Sequence, residues 1–222
     1  MIRNKTFNLI SETLNGKSLY RILFNWTVSD YCRNLSGVCV DLASGLDNSY
    51  RRYWQINPER MIRIDIDKKN KPDIVLDLNK DIPLPDETID NVFFFNSFYL
   101  LEDRTHLLRE IKRILKLSGH AFLTAEFVKS EEKNTTDFER FTKKRIEQLL
   151  SSVGLKKYRI VPIGERFSAT ANLREFVWGG ACPIKIIKIF YRLWNIFLDK
   201  IFFKKIKENY PCPISWFVII EK

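Results

Sequence analysis

Acidic and amide side chains follow short apolar runs of this sequence at spacings that suit a ligand site. Asp41 ends the run GVCVDL, Gly45 lies in the turn after it, and Asp65 ends the next apolar run, twenty residues beyond Gly45. In nucleotide-binding α/β folds, an acid about twenty residues beyond a glycine turn accepts hydrogen bonds from ribose hydroxyls. The spacing therefore predicts a ligand that contains a nucleoside, bound near Asp65.

The turn itself, DLASGLDNS, indicates the charge of that ligand. A dinucleotide site uses several glycines so that backbone N–H groups can approach the pyrophosphate, whereas this turn has one glycine, Gly45. Asp47 falls at the start of the next segment, where its charge would repel a phosphate. Together with Asp41 it favours a cationic nucleoside, and the sulfonium and ammonium groups of S-adenosyl-L-methionine fit that description.

Apolar runs of strand length alternate with amphipathic segments along the chain. We predict strands at 37–42, 62–66, 73–78, 89–97, 120–127, 155–163 and 215–222, and helices at 17–34, 48–56, 102–117 and near 142–153. This alternation implies an α/β fold with a doubly wound, mostly parallel sheet, in which ligands bind beyond the carboxyl ends of the strands. Asp41, Asp65, Asp77 and Asn96 all fall at such ends.

The order of these motifs resembles that of the class I S-adenosylmethionine-dependent methyltransferases, which have a Rossmann-like fold. The motifs that carry the resemblance are VCVDLASG, RIDID, DIVLDLNKDIPLPDETIDNVFFFN and LLREIKRILKLSGHAFLTAEF. It covers about residues 37–127 and continues in DFERFTKKRIEQLLSSVGL, which is similar to members associated with cell-surface polysaccharide gene clusters. The turn lacks the last glycine of the family pattern. Tyr99-Leu100 stand where related proteins often carry a Glu-His pair.

The resemblance implies a role for each matching position. Asp41, Ala43 and Gly45 would line the methionine end of the cofactor, and Asp65 would bind the ribose hydroxyls. The remaining cofactor-binding positions would be Asp77 at the adenine amino group, Leu78 beside it, and Asn96 facing the cofactor from the fourth strand.

Candidates for the chemical step lie beyond the same strand ends. A hydroxyl acceptor benefits from a general base, and the residues available for this work are Tyr99, Glu126 and Asp137, with Arg140 beside Asp137 in DFERFT. The resemblance places Asp137 and Arg140 at the mouth of the acceptor site, while an ion pair on a helix surface is the alternative for these two residues. No metal site is expected, because the four cysteines show no metal-ligand spacing.

The charge of the chain is uneven. The net charge is +10, and it arises entirely within residues 101–222, because residues 1–100 hold equal numbers of basic and acidic side chains. We find no signal-peptide pattern and no apolar stretch long enough to span a membrane, and we expect a cytoplasmic protein with reduced thiols. We divide the chain into a helical segment (1–36), a cofactor-binding core (37–163), a basic, aromatic helical insertion (164–213) and a final strand of the core (214–222).

The insertion separates two strands that a short hairpin usually joins in this family. Within it an apolar stripe recurs at helical spacing, and residues 183–209 carry a net charge of +5. The stripe consists of Ile187, Phe190, Trp194, Phe197, Leu198 and Ile201. One alternative is that this helix packs on the domain. The other is an interfacial helix at the inner membrane face, with basic side chains facing anionic headgroups: Lys185, Lys188, Arg192, Lys200, Lys204 and Lys205.

Three functions remain open on the sequence. The first is methyl transfer to a small-molecule, glycan or lipid-linked acceptor. The second is a non-catalytic relative that keeps the fold as a binding or scaffolding protein. RNA methylation is the weakest, because the aromatic residues of the insertion are massed with aliphatic ones rather than interleaved with the basic residues, and we recognise no RNA-binding module.

Overall fold

A computed structural model describes most of the chain with side chains. The described residues are 2, 4–46, 50–133, 136–177, 185–202 and 211–222, with only the backbone of residues 55 and 175–177. Asp47 of the turn and Lys204 and Lys205 of the insertion lie outside this set.

The strands form one seven-stranded sheet in the order β3-β2-β1-β4-β5-β7-β6. They are β1 (Arg33–Leu42), β2 (Gln55–Asp65), β3 (Ile74–Val75), β4 (Ile89–Phe94), β5 (Leu115–Glu126), β6 (Lys157–Ile163) and β7 (Ser215–Glu221). The first five strands are parallel, while β7 runs antiparallel to both β5 and β6. This mostly parallel α/β sheet confirms the predicted fold class.

Helices cover both faces of the sheet. They are α1 (Lys5–Leu14), α2 (Leu19–Tyr31), α3 (Arg104–Ile114), α4 (Lys143–Ser152), α5 (Arg166–Val177) and α6 (Lys185–Ile201). Side chains cap several helix starts, as Ser18 does by accepting the Arg21 N–H and Asp103 by accepting the His106 N–H. The starts of α2 and α3 are thereby fixed beside the carboxyl ends of the central strands.

Coverage on both faces explains why the central strands are almost continuously apolar. Along β4 and the residue after it, Phe93 and Phe95 pack under the N-terminal helices and α5, whereas Val92 and Phe94 pack under α3 and α4. Successive side chains of a strand point to opposite faces, so a strand buried on both sides has no polar alternation.

Two local predictions are wrong. Residues 48–56 were expected to be helical, but Arg51–Tyr53 form a single 3₁₀ turn and Gln55 already begins β2, which pairs with β1 from Arg33. The strand predicted at 73–78 is reduced to Ile74–Val75. In both places pairing with a distant strand decides the backbone conformation, and the local pattern does not record that pairing.

The insertion is helical, as predicted. β6 ends at Ile163 and its antiparallel neighbour β7 begins at Ser215, with α5 and α6 among the described residues between them. In the part of the chain with assigned structure, every helix is too short or too polar to cross a bilayer.

Candidate active site

A cleft of about 480 Å³ opens at the carboxyl ends of β1, β2 and β4. Its size is within the range of small-molecule sites. The predicted residues Ala43, Asp65, Asp77 and Leu78 line it, together with apolar side chains that include Phe94 and Leu101. Carboxylates near apolar walls are a suitable lining for a nucleoside, whose ribose is polar and whose base has flat faces.

Asp65 connects the two loops that border this cleft. One carboxylate oxygen accepts the Gly45 N–H at 2.7 Å, and the other accepts the Asp67 N–H at 2.9 Å and the Asn70 amide at 3.0 Å. A carboxylate has about four lone-pair positions, so Asp65 retains acceptor capacity for a ligand hydroxyl. The same side chain therefore holds the turn after β1 in place and lines the cleft.

Asp77 also lines the cleft and is half-buried. Its Oδ1 accepts both the backbone and the side-chain N–H groups of Asn79, each at 3.0 Å. Asn79 in turn accepts the Glu102 N–H at 3.1 Å, so this acid is fixed to the loop that precedes α3.

Asp41 lies beneath the turn and is fully buried. Its carboxylate accepts the Tyr50 hydroxyl at 2.9 Å and forms an ion pair with Arg51 at 2.8 Å. Burial raises the pKa of Asp41 to about 6, although Arg51 and Tyr50 both oppose the shift. Arg51 also donates to the Ser44 carbonyl, so Asp41 acts on the turn through these partners.

The turn has an unusual backbone at Ala43. Its φ is +51°, a left-handed conformation that glycine adopts without steric cost, and Gly45 follows at +59°. Alanine thus occupies a position whose geometry is that of a glycine.

Asn96 does not line the cleft but contacts the N-terminal helices. The Tyr20 hydroxyl of α2 donates to Asn96 Oδ1, and the Asn96 N–H donates to the Thr124 hydroxyl at 2.7 Å. Its neighbour Ser97 lines the cleft. Residues 96 and 97 therefore separate the nucleoside cleft from a second, polar region under α2.

Glu126 is the principal charge of that second region. Its side chain is buried, and neither carboxylate oxygen has a hydrogen-bond partner in another described residue. Burial raises the pKa of Glu126 to about 8. Its charge contributes to raising the pKa of Tyr20 and of Tyr99, so the carboxyl acts electrostatically on both phenols.

Tyr99, Asp137 and Arg140 meet at the other side of Glu126. Arg140 binds Asp137 at 2.7 Å and donates to the Lys129 and Ser130 carbonyls. The Tyr99 hydroxyl accepts a hydrogen bond from Lys129 at 2.9 Å, and both cations face its ring. Arg140 holds the pKa of Asp137 down at about 2, so this acid is a weak base and fastens the loop after β5.

Sequence reasoning missed four polar residues of the second region. They are Tyr20, Thr124, Lys129 and Ser215. Tyr20 is 76 positions from its partner Asn96, and Ser215 faces Glu126 across the β5–β7 pair. No local spacing records such contacts. For Ser215 alone the sequence offered a partial signal, because this residue starts the strand predicted at 215–222.

Comparison with known proteins found similarities for the central part of the chain and for its fold. Residues 38–123 match the model of a methyltransferase domain family, and no curated protein matches the sequence. A methyltransferase from Archaeoglobus fulgidus that depends on S-adenosylmethionine has a similar structure, with a TM-score of 0.56 and 16% identity over 91% of this chain and 94% of that one.

Two further solved structures have the same fold. One, from Aquifex aeolicus, is also a methyltransferase that depends on S-adenosylmethionine, with a TM-score of 0.51 and 20% identity over 69% of this chain and 92% of that one. The other is the Haemonchus contortus phosphoethanolamine N-methyltransferase 2 in complex with S-adenosyl-L-methionine, with a TM-score of 0.56 and 12% identity over 90% of this chain and 52% of that one.

Proposed function

We propose that the protein transfers a methyl group from S-adenosylmethionine to a hydroxyl of a small-molecule, glycan or lipid-linked acceptor. The match of residues 38–123 to a methyltransferase domain family and the fold that the chain shares with methyltransferases support this proposal. The observation that carries the choice of a hydroxyl is the buried carboxyl of Glu126, which has no hydrogen-bond partner in another described residue and whose charge acts on Tyr20 and Tyr99. A hydroxyl must lose a proton when it is methylated, and Glu126 is placed to take it.

The cofactor, S-adenosyl-L-methionine, is the one predicted from the sequence, and the cleft fits it. Asp65 retains acceptor capacity for the ribose, Asp77 and Leu78 are placed for the adenine, and Phe94 supplies an apolar wall. Asp41 is already paired with Arg51, so we assign it to shaping the turn rather than to direct contact with the methionine end.

Different residues of the second region have different roles in methyl transfer. When bound, S-adenosylmethionine supplies a methyl group on a positively charged sulfur. Tyr20 and Asn96 form a fixed hydrogen-bonded pair that orients the acceptor. Glu126 accepts the proton of the acceptor hydroxyl, and the loop fastened by Asp137 and Arg140 closes the region to water.

Cofactor binding is tested by calorimetric titration of the full chain with S-adenosylmethionine, S-adenosylhomocysteine and NAD. Hydrogen bonds to a charged group contribute about 1.5–3 kcal/mol each, so Asp65→Asn should weaken binding of the two sulfur ligands about tenfold or more. The matched control is Asp81→Asn, since the Asp81 side chain is 88% exposed and lies outside the cleft. Unchanged affinity in Asp65→Asn, or equal binding of NAD, would contradict the assignment of the cleft.

Methyl transfer is tested with labelled cofactor against separate glycan, lipid, small-molecule, protein and RNA fractions. We expect label in a glycan, lipid or small-molecule fraction, and at least a hundredfold loss in Glu126→Gln, because general bases contribute typically 10²–10⁴-fold. Tight cofactor binding without transfer to any fraction would instead support a non-catalytic binding protein. Label in the RNA fraction would instead support RNA methylation.

A further inference from the structure

The side of α6 that faces the domain combines polar and apolar residues, since Ile189, Leu193 and Ile196 pack against the core beside the polar residues Arg192 and Asp199. Arg192 is 2% exposed, and its guanidinium donates to the Thr13 hydroxyl at 2.7 Å and to the Lys17 carbonyl at 3.0 Å. Asp199 accepts the Phe167 N–H at 2.9 Å and the Ser168 N–H at 3.1 Å at the start of α5. These contacts fix which side of α6 faces inward.

The opposite side of α6 is apolar and faces solvent. We call it the outer face, and its side chains are between 48% and 69% exposed. It consists of Ile186, Ile187, Phe190, Trp194, Phe197, Ile201 and Phe202. Monomeric soluble proteins rarely leave a contiguous apolar surface of this kind uncovered. The helix cannot rotate to bury it without losing the contacts of Arg192 and Asp199, so the described residues leave the outer face open to another molecule.

The charges around the outer face are basic. Lys185 and Lys200 are exposed at the two ends of α6. The acidic side chains of α1 and α6 both bind inward, since Glu12 pairs with Arg52 at 2.7 Å and Asp199 caps α5. Two copies of this chain would bring like charges together at the rims of their outer faces, whereas an anionic surface complements them.

We propose that the outer face of α6 docks on a membrane that contains anionic lipid, with the helix lying in the plane of the interface. Phenylalanine, tryptophan and isoleucine on one side, with lysines at the ends, suit the boundary between headgroups and acyl chains. The sequence-based expectation was partly wrong, because Arg192 was assigned to the headgroups and instead binds α1.

Docking would bring the second region of the active site to the membrane. Arg192 binds the carbonyl of Lys17, three residues before Tyr20, and Asn172 of α5 accepts the Tyr20 N–H at 3.3 Å. The two helices of the insertion, α5 and α6, are therefore attached to the segment that carries Tyr20, the residue proposed to orient the acceptor. A lipid-linked acceptor would then reach the site from the interface, a consequence that rests on the proposed function, whereas the docking itself does not.

The test is co-sedimentation of the full chain with phosphatidylcholine vesicles and with vesicles that also contain phosphatidylglycerol, at low and high salt. We expect binding to the anionic vesicles to be about tenfold or more stronger at low salt and to weaken at high salt, because the basic contribution is screened. The double variant Trp194→Glu, Phe197→Glu should lose this binding and keep its melting temperature. The control Leu117→Glu should bind normally, since Leu117 is 75% exposed on β5.

Three outcomes would overturn the proposal. Intact protein that ignores both vesicle types shows that the outer face does not meet lipid. A melting temperature lowered by the double variant shows that the outer face is packed within the domain. A dimer in solution that the double variant dissociates shows that a second copy covers it. None of these measurements uses cofactor or acceptor, so the methyltransferase assignment is judged separately.

Discussion

The hydroxyl of Tyr20 on α2 donates a hydrogen bond to the side-chain oxygen of Asn96, which follows β4. This contact connects α2 to the residues just beyond the carboxyl end of β4. Burial raises the pKa of Tyr20 well above its ordinary value, so the phenol stays protonated and remains a donor throughout the physiological range.

Removing that hydroxyl should affect the acceptor more than the cofactor. In Tyr20→Phe we expect transfer to fall about three- to tenfold, which corresponds to one hydrogen bond, while the dissociation constant for S-adenosylmethionine changes less than twofold. Steady-state kinetics and calorimetry on the same preparation measure the two effects. Tyr158→Phe, on β6, is the matched control, and equal transfer in both variants would remove Tyr20 from the site.

The sequence predicted the cofactor half of the molecule more completely than the acceptor half. Asp65 follows a turn glycine at a characteristic spacing, and the same segment of chain forms β1, the turn and β2, so a local pattern records the cleft. The polar region under α2 is assembled from Tyr20, Asn96 and Glu126, which lie on three distant segments. Their proximity is a property of the fold, and no spacing along the chain records it.

The insertion shows the same limit. Helical periodicity predicted α6 and its apolar stripe, but not which side of the helix faces the domain. That is decided by Arg192 and Asp199, whose partners lie on α1 and α5. An amphipathic pattern usually places its apolar stripe inward, whereas α6 turns Ile189, Leu193 and Ile196 toward the core together with these polar contacts and leaves the predicted stripe largely exposed.

Asp137 should prove to be a loop anchor rather than a base. Its pKa of about 2 means that it is ionised at every pH above about 4. Because the folded-state pKa is lowered, Asp137 stabilises the protein above the unfolded pKa, and this contribution is lost as the pH falls toward 2. Asp137→Asn should therefore lower the melting temperature at pH 7 and leave the shape of the pH–rate profile unchanged above pH 5. A rate that no longer rises with pH in Asp137→Asn would contradict this.

We expect glycine at position 43 to make the folded protein more stable than alanine does. At a φ of +51° a side chain with a Cβ costs about 1 kcal/mol, and part of the gain on substitution is offset by the greater freedom of glycine in the unfolded chain. We expect Ala43→Gly to raise the melting temperature by up to about 2–4 °C. The mirror control is Gly45→Ala, at a φ of +59°, which should lower it. Scanning calorimetry measures both, and a less stable Ala43→Gly would show that the turn is not strained there.

Glu126 links the stability of the fold to the chemistry proposed for it. Its pKa is raised from 4.5 to about 8 by burial, so between these values the folded protein holds a proton that the unfolded chain releases. Stability attributable to this group is fully present below pH 4.5 and declines as the pH rises to about 8. Glu126→Gln lacks the ionisation, and the difference in melting temperature between this variant and the intact protein should grow in favour of the variant from pH 5 to pH 8 and then level off.

Ionisation of Glu126 should raise the rate of transfer while it lowers stability. Only the ionised carboxyl can accept a proton, so transfer by the intact protein should rise with pH, reach half of its maximum near pH 8 and level off about one pH unit higher, where the contribution of Glu126 to stability is lowest. The residual activity of Glu126→Gln should show no such rise. Thermal melts and kcat/KM across pH 5–9 test both directions on the same two proteins. A flat stability difference would show that Glu126 is ionised in the folded state at neutral pH, and a pH-dependent rate in Glu126→Gln would assign the base to another residue.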